Sequence, residues 1–222
     1  MKVCTDACTF GAWIANKVAS CRLPDVSCLD IGGGTGLLSL MLAQKNPYVI
    51  IDAVEIEENA FRQAKENFSN SPWNNRLRIY HTDIKNFIPE KKYDLIICNP
   101  PFFENDLKSD LRNKNIAKHG EGLNFKELIT IIKKNIYADG YFAILLSYHR
   151  IEYLESLAEK NNLFLQEKLL IKQTPSHNFF RGVLFFGNIK TASTINELII
   201  KNEEDNYTEE FMQLMKEYYL NL

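Results

Sequence analysis

The sequence predicts an α/β fold: a mostly parallel seven-stranded sheet with an antiparallel final strand and helices on both faces. Two patterns carry that expectation. Strand-like apolar runs alternate with helical stretches along most of the chain, as in strands joined by helical crossovers. Towards the end, two more apolar runs flank the turn-forming stretch Thr174-Pro175-Ser176-His177 and read as an antiparallel pair. The 222 residues are 45% hydrophobic and 12% aromatic, enough to bury a substantial core within one domain.

The elements follow in order. Val26 to Ile31 is the first strand, and Leu37 to Lys45 a short helix stopped before Pro47. Val49 to Glu55 is the second strand. Glu57 to Phe68 is helical, with acids in its first turn that suit the helix dipole. Leu77 to His81 and Tyr93 to Cys98 are the third and fourth strands. Phe103 to Gly122 lacks periodicity and reads as a long loop. Asn124 to Asn135 is helical, Tyr141 to Leu146 is the fifth strand after an Asp139-Gly140 turn, and Ile151 to Glu159 is helical. Leu163 to Gln173 and Val183 to Ile189 form the final pair. A polar stretch, Lys201 to Asn206, leads into a terminal helix from Thr208 to Leu220. No boundary for a second domain is visible. Residues 1–25 are expected to form an N-terminal cap helix, 26–146 the core, and 147–222 the C-terminal strands and helix.

The formal net charge is −2, so a nucleic-acid partner would have to be held by a local patch or pocket. No apolar run reaches the roughly 18 residues of a membrane span, and Met1 is not followed by a signal-like apolar core. A soluble, cytoplasmic protein is expected, with no membrane partner. The five cysteines are Cys4, Cys8, Cys21, Cys28 and Cys98. Their odd number favours reduced thiols, and without a CxxC pair the spacing is poor for zinc, so no metal is expected.

Leu29-Asp30-Ile31-Gly32-Gly33-Gly34-Thr35-Gly36 ends the first strand and opens the first helix. Gly32, Gly34 and Gly36 let the backbone turn sharply and let a ligand lie against it. The spacing departs from GxGxxG, because Leu37 stands three residues after Gly34, which disfavours a dinucleotide. Glu55 ends the second strand, near the offset where an acid can accept both ribose hydroxyls. Asp83 follows the third strand, where a carboxylate can accept from an adenine amine. Taken singly, each acid fits a solvated turn. Together with the glycine loop they describe a nucleoside crevice at successive strand ends.

Asn99-Pro100-Pro101-Phe102 follows the fourth strand. Neither proline has an N–H, so the strand end offers acceptors with few competing donors. A planar amine that needs acceptors and a ring to stack on fits there. The plainer reading is a rigid strand exit with Phe102 covering the core.

These residues resemble the motifs of S-adenosylmethionine-dependent methyltransferases that modify amino groups, a Rossmann-like class I fold. The resemblance spans residues 26 to 146. It implies S-adenosyl-L-methionine as cofactor, with the glycine loop at its methionine moiety, Glu55 at its ribose and Asp83 at its adenine. Asp30, Gly32, Gly34, Gly36, Glu55, Ile56, Asp83, Ile84 and Asn99 are then the cofactor-binding set. Asn99, Pro100 and Phe102 are the catalytic set: two acceptors for the amine, the Asn99 side-chain oxygen and the Pro100 carbonyl, and a ring stacked on the base.

Outside that core, Lys2-Val3-Cys4-Thr5-Asp6-Ala7 with Gly11-Ala12-Trp13 is similar to the opening motif of the bacterial tRNA(Val) adenine-N6 methyltransferases. Asn115-x-Ala117-Lys118-His119 and Tyr207-Thr208-x-x-Phe211 through Tyr219-Leu220 resemble later segments of the same family. Cys4 and Ala7 stand where that family has glycines, and the chain begins at the motif. The resemblance implies tRNA as partner and the N6 amine of an anticodon-loop adenine as the target. A monomer is expected. Unstacked loop bases are where RNA is usually read. Lys108, Arg112, Lys114, Lys118 and His119 follow the catalytic strand and are assigned to the nucleic acid, against the plainer reading of a solvated loop. Arg150, His177 and Arg181 are further candidates. His177 equally fits an ordinary turn, and Arg181 a pair with an acid. Trp13 fits either a core helix face or the cofactor pocket, and Thr5 and Asp6 fit a helix cap.

Other readings keep the chemistry and change the substrate to ribosomal RNA, DNA or a protein glutamine. Little chain is left for a DNA target-recognition domain, and the N-terminal helical domain expected of a glutamine-modifying relative is absent. A non-catalytic nucleoside-binding module belongs to another class, and Asn99, Glu55 and Asp83 argue against it.

Overall fold

A computed structural model describes residues 4–21, 26–100 and 123–221. The expected alternation is present. The elements run α1 (Thr5–Cys21), β1 (Ser27–Ile31), α2 (Leu37–Lys45), β2 (Ile50–Glu55), α3 (Glu58–Asn70), β3 (Leu77–His81) and β4 (Tyr93–Cys98). They continue as α4 (Phe125–Asn135), β5 (Ile136–Ser147), α5 (Ile151–Glu159), β6 (Phe164–Lys172), β7 (Arg181–Gly187), β8 (Thr194–Ile199) and α6 (Glu209–Met215).

One sheet has the order β3-β2-β1-β4-β5-β7-β6-β8. β1 to β5 are mutually parallel, β7 runs antiparallel to both β5 and β6, and β8 pairs parallel with β6. The order reverses beside β1, which has β2 on one side and β4 on the other. In such open sheets the ligand crevice lies at the carboxyl ends of the two strands that flank the reversal.

Alternating side chains feed two cores, because successive strand residues point to opposite faces. Cys28, Ile51, Ile97 and Leu145 pack with Phe10 and Ile14 of α1, Leu42 of α2 and Phe211 of α6. Their neighbours Leu29, Ile96 and Ile144 face Leu128 and Ile132 of α4 and Leu154 of α5. The helices stop and start where local chemistry says they should. Asn124 and Glu127 form a reciprocal capping box at α4. The Glu57 carboxylate accepts from the Asn59 and Ala60 backbone N–H groups at the start of α3.

The observed fold departs from the sequence reading in three places. The sheet has eight strands among the described residues, and the unforeseen one is β8. Thr194 to Glu197 are exposed and the strand buries chiefly Leu198, so it carries no apolar alternation. It is held by its ladder on β6 at the sheet edge. β5 begins at Ile136 rather than Tyr141. Tyr93 pairs with Ile136 and Leu95 with Tyr141, so Asp139-Gly140 forms an irregularity inside the strand. A Cβ at Gly140 would lie 3.0 Å from the Tyr93 carbonyl oxygen. The terminal helix ends at Met215 and gives way to turns. Among the described residues, no helix is long and apolar enough to cross a membrane.

Candidate active site

The carboxyl ends of β1, β2, β3 and β4 bring four of the singled-out segments to one edge. After Ile31 the chain turns through Gly32, Gly34 and Gly36, with φ of 72°, 56° and 85°. These are left-handed conformations that favour glycine. At Gly36, which caps α2, a Cβ would also lie 2.4 Å from Phe68 Cε1. At Gly32 a Cβ would meet nothing within 4 Å, so this exposed turn is open to a ligand.

The loop is tied to β2 along its length. The Gly32 and Gly33 N–H groups donate to the Val54 carbonyl at 2.9 and 3.1 Å. The Gly34 N–H donates to Glu55 Oε2 at 2.8 Å, and the Glu57 N–H donates to Oε1 at 2.8 Å. Glu55 is buried, and each oxygen keeps a further lone pair. The expected acid therefore also fixes the glycine turn, a role that its position after a strand did not reveal. Ile56 beside it is 62% exposed, a large apolar side chain left facing out at the crevice.

Asp30 is fully buried under the loop. Its Oδ2 accepts from Ser39 Oγ at 2.7 Å, while Oδ1 has no hydrogen-bond partner among the described residues. Burial pushes this carboxyl up to about 6 from the usual 3.8, the Ser39 hydrogen bond opposes the shift, and the Glu55 charge adds to it. Ser39 was not singled out from the sequence. The only signal for it is a hydroxyl in the first turns of the helix that follows the loop.

Asp83 lies in the turn after β3. Its Oδ1 accepts from the Lys85 N–H at 2.9 Å, which holds the half-buried carboxylate in place, and Ile84 next to it is buried. Across the edge, Ile31 pairs with Cys98, so Asn99 follows directly beside Gly32. Asn99 Oδ1 is buried and without a hydrogen-bond partner among the described residues. Two orphaned acceptors thus stand at the ends of the two strands that flank the topological reversal. Orphaned buried acceptors are costly and rare in native proteins, and here they fit a ligand that brings donors. The site residues suit the methyl donor expected from the motifs: a positively charged group, ribose hydroxyls and an adenine amine are all donors or cations.

Pro100 is half-buried beside Asn99. Phe102, Lys108, Arg112, Lys114, Lys118 and His119 lie outside the described residues. Trp13 packs edge-on against Phe185 of β7 at 6.1 Å, the core alternative of its two readings. Arg181 Nε donates to Asp6 Oδ2 at 2.9 Å and its guanidinium also reaches Ser147 Oγ at 3.2 Å. This ties the start of α1 to the ends of β5 and β7, and Asp6 Oδ1 accepts from the Ala7 N–H. His177 accepts or donates within its own turn, to Thr174 Oγ1 at 2.7 Å. Among the described residues no cluster of three or more His, Cys, Asp or Glu could hold a metal ion.

Residues 17–147 match the family model described as the methyltransferase small domain. A protein of Pseudoalteromonas translucida named tRNA1(Val) (adenine(37)-N6)-methyltransferase is 38% identical over 100% of this chain and 93% of its own length. A Dyadobacter fermentans protein of the same name is 40% identical over 99% of this chain and 91% of its own. Among solved structures, an Agrobacterium tumefaciens chain described as a predicted O-methyltransferase superposes with a TM-score of 0.69 at 15% identity, covering 94% of this chain and 99% of that one. TrmN from Thermus thermophilus gives a TM-score of 0.56 at 18% identity over 80% of this chain and 48% of that one. At these identities the structural likenesses concern the fold.

Proposed function

The chain belongs to the tRNA1(Val) (adenine(37)-N6)-methyltransferase family, and on that premise we propose that it moves a methyl group from S-adenosylmethionine to the N6 amine of an adenine in tRNA. The target adenine is the one in the relatives' names, position 37 of tRNA1(Val). The observation that carries the reading is the orphaned Asn99 Oδ1 beside the glycine loop, at the reversal between β1 and β4.

When bound, S-adenosylmethionine supplies a methyl group made electrophilic by its sulfonium. The protein's own residues do the rest. Gly32 and Gly34 give the donor a close approach, Asp30 offers a buried carboxylate to its cationic end, and Glu55 accepts from its ribose hydroxyls. Asp83, with Ile56 and Ile84 beside it, takes the adenine. On the other side, Asn99 Oδ1 and the Pro100 carbonyl accept the two N–H groups of the target amine. That favours localising a lone pair otherwise delocalised into the ring. Phe102 stacks on the base. Nitrogen gains the methyl group as the carbon–sulfur bond breaks, and the extra proton leaves the nitrogen afterwards. Much of the rate then comes from alignment and from dipoles aimed at the charge developing on nitrogen. Lys108, Arg112, Lys114, Lys118 and His119 hold phosphates beside the target. Residues 26–146 act as the core, with 1–25 and 147–222 as flanking parts of one domain working as a monomer in the cytoplasm.

Asn99→Ala tests this. Turnover on tRNA should fall by roughly 100-fold or more, the scale of losing one preorganised polar group, while calorimetry still detects S-adenosylmethionine binding. Wild-type turnover in that variant would sink the assignment.

A further inference from the structure

Two groups of rings and cations, each pairing an exposed tyrosine with a half-buried phenylalanine, stand at the same sheet edge as Asn99. In the first, Tyr148 and Phe179 lie with ring centroids 5.4 Å apart, and Lys172 Nζ sits 4.3 Å above the Phe179 centroid. In the second, the Arg150 guanidinium lies 5.2 Å from the Phe125 ring and 5.7 Å from that of Tyr153. Tyr148 is 44% exposed and Tyr153 is 49% exposed. Tyr148, Phe179 and Tyr153 belong to neither apolar core, so core packing does not account for them.

Topology puts both groups beside the target position. β5 neighbours β4 and continues past Ile144, the partner of Cys98, as far as Ser147. Asn99 is thus level with Leu145, and Tyr148 stands three residues further on, about 10 Å above it and one strand, about 5 Å, across. The turn between β6 and β7 leaves from the same edge. It brings Phe179 next to Tyr148, and the Phe180 carbonyl accepts from the Tyr148 N–H at 3.1 Å. Phe125 opens α4 and Tyr153 lies in the first turn of α5, and both helices begin at this edge.

Flat rings with cations against them suit single-stranded nucleic acid, since every base has a π-face and every linkage a negative charge. The net charge of −2 leaves such a local patch as the means of holding RNA. Among the described residues, Lys172 pairs only loosely with an acid, Glu197, at 3.8 Å. We propose that Tyr148 and Phe179 form a stacking platform for an unstacked base next to the methylated adenine, with Lys172 at the adjoining phosphate. This rests on the reading of the protein as a tRNA methyltransferase and adds where the strand neighbouring the target is held.

The test uses the full chain with a tRNA1(Val) transcript, measuring affinity by anisotropy at several salt concentrations and, separately, S-adenosylhomocysteine binding by calorimetry. Tyr148→Ala and Phe179→Ala should each weaken RNA binding roughly 5- to 100-fold, with S-adenosylhomocysteine binding unchanged. Tyr148→Phe should restore most of the affinity. Lys172→Ala should lower the slope of log affinity against log salt by about one phosphate contact. 2-Aminopurine placed beside the target adenine should be quenched by the wild type and not by the alanine variants. A wild type active on tRNA with unaffected ring variants overturns the platform alone, as does a Tyr148→Phe variant as weak as Tyr148→Ala. A wild type that neither binds nor methylates tRNA overturns the function reading and the platform with it.

Discussion

At the scale of single residues, the site is built from acceptors short of donors. Asp30 and Asn99 each keep a buried oxygen without a partner among the described residues. Such groups cost stability when left alone, which makes sense where a ligand supplies the missing N–H or cation. Asp30 gives this a measurable form. Its carboxyl is held at about 6, above its unfolded value near 4. The folded protein then keeps this proton while the unfolded chain has lost it. The contribution to stability is greatest below about pH 4 and is lost as pH rises towards about 6. Asp30→Asn should flatten that part of the urea-midpoint profile. In the wild type, affinity for the cationic donor should rise with pH through about 6 as the carboxylate ionises. Calorimetry at pH 5 and pH 7 checks this, and equal affinities at both would remove Asp30 from the cationic end of the donor.

At the scale of elements, the turn from β1 into α2 decides the geometry of the crevice. Three glycines with positive φ make that turn, and Val54 and Glu55 of the next strand anchor it. Gly36→Ala should cost about 1–3 kcal/mol through backbone strain and the clash with Phe68. In a chain of this size that lowers Tm by roughly 2–10 °C, and donor affinity should fall with it. A melting curve with the wild-type midpoint would contradict this account of the turn. The loop, Glu55 and the strand ends were legible in the sequence because each combines a marked residue type with a marked place in the alternation. The edge strand β8 was not, since Thr194-Ile195-Asn196-Glu197 is exposed and ladder hydrogen bonds leave no trace in side-chain pattern. For Arg181 the pair with an acid was legible, but not that the acid is Asp6 or that Ser147 joins it, since these positions lie far apart in the chain. Ser39 was missed for a similar reason, because only the folded turn brings its hydroxyl to Asp30.

At the scale of the molecule, seven strands among the described residues share one direction and β7 opposes them, so most of the described site segments emerge at one edge. Parallel order was readable from alternation, and the antiparallel pair from the short turn between β6 and β7. The same edge collects exposed and half-buried rings with cations beside them, although the chain as a whole is slightly acidic. Their clustering could not be read from a linear sequence that spreads Phe125, Tyr148, Lys172 and Phe179 over many elements. All of this converges on one reaction. Purified protein should be given labelled S-adenosylmethionine and total bacterial tRNA, and the digested nucleosides separated. Label in N6-methyladenosine is the predicted result. Label absent from every tRNA nucleoside, or present only in a different methylated base, would contradict the account.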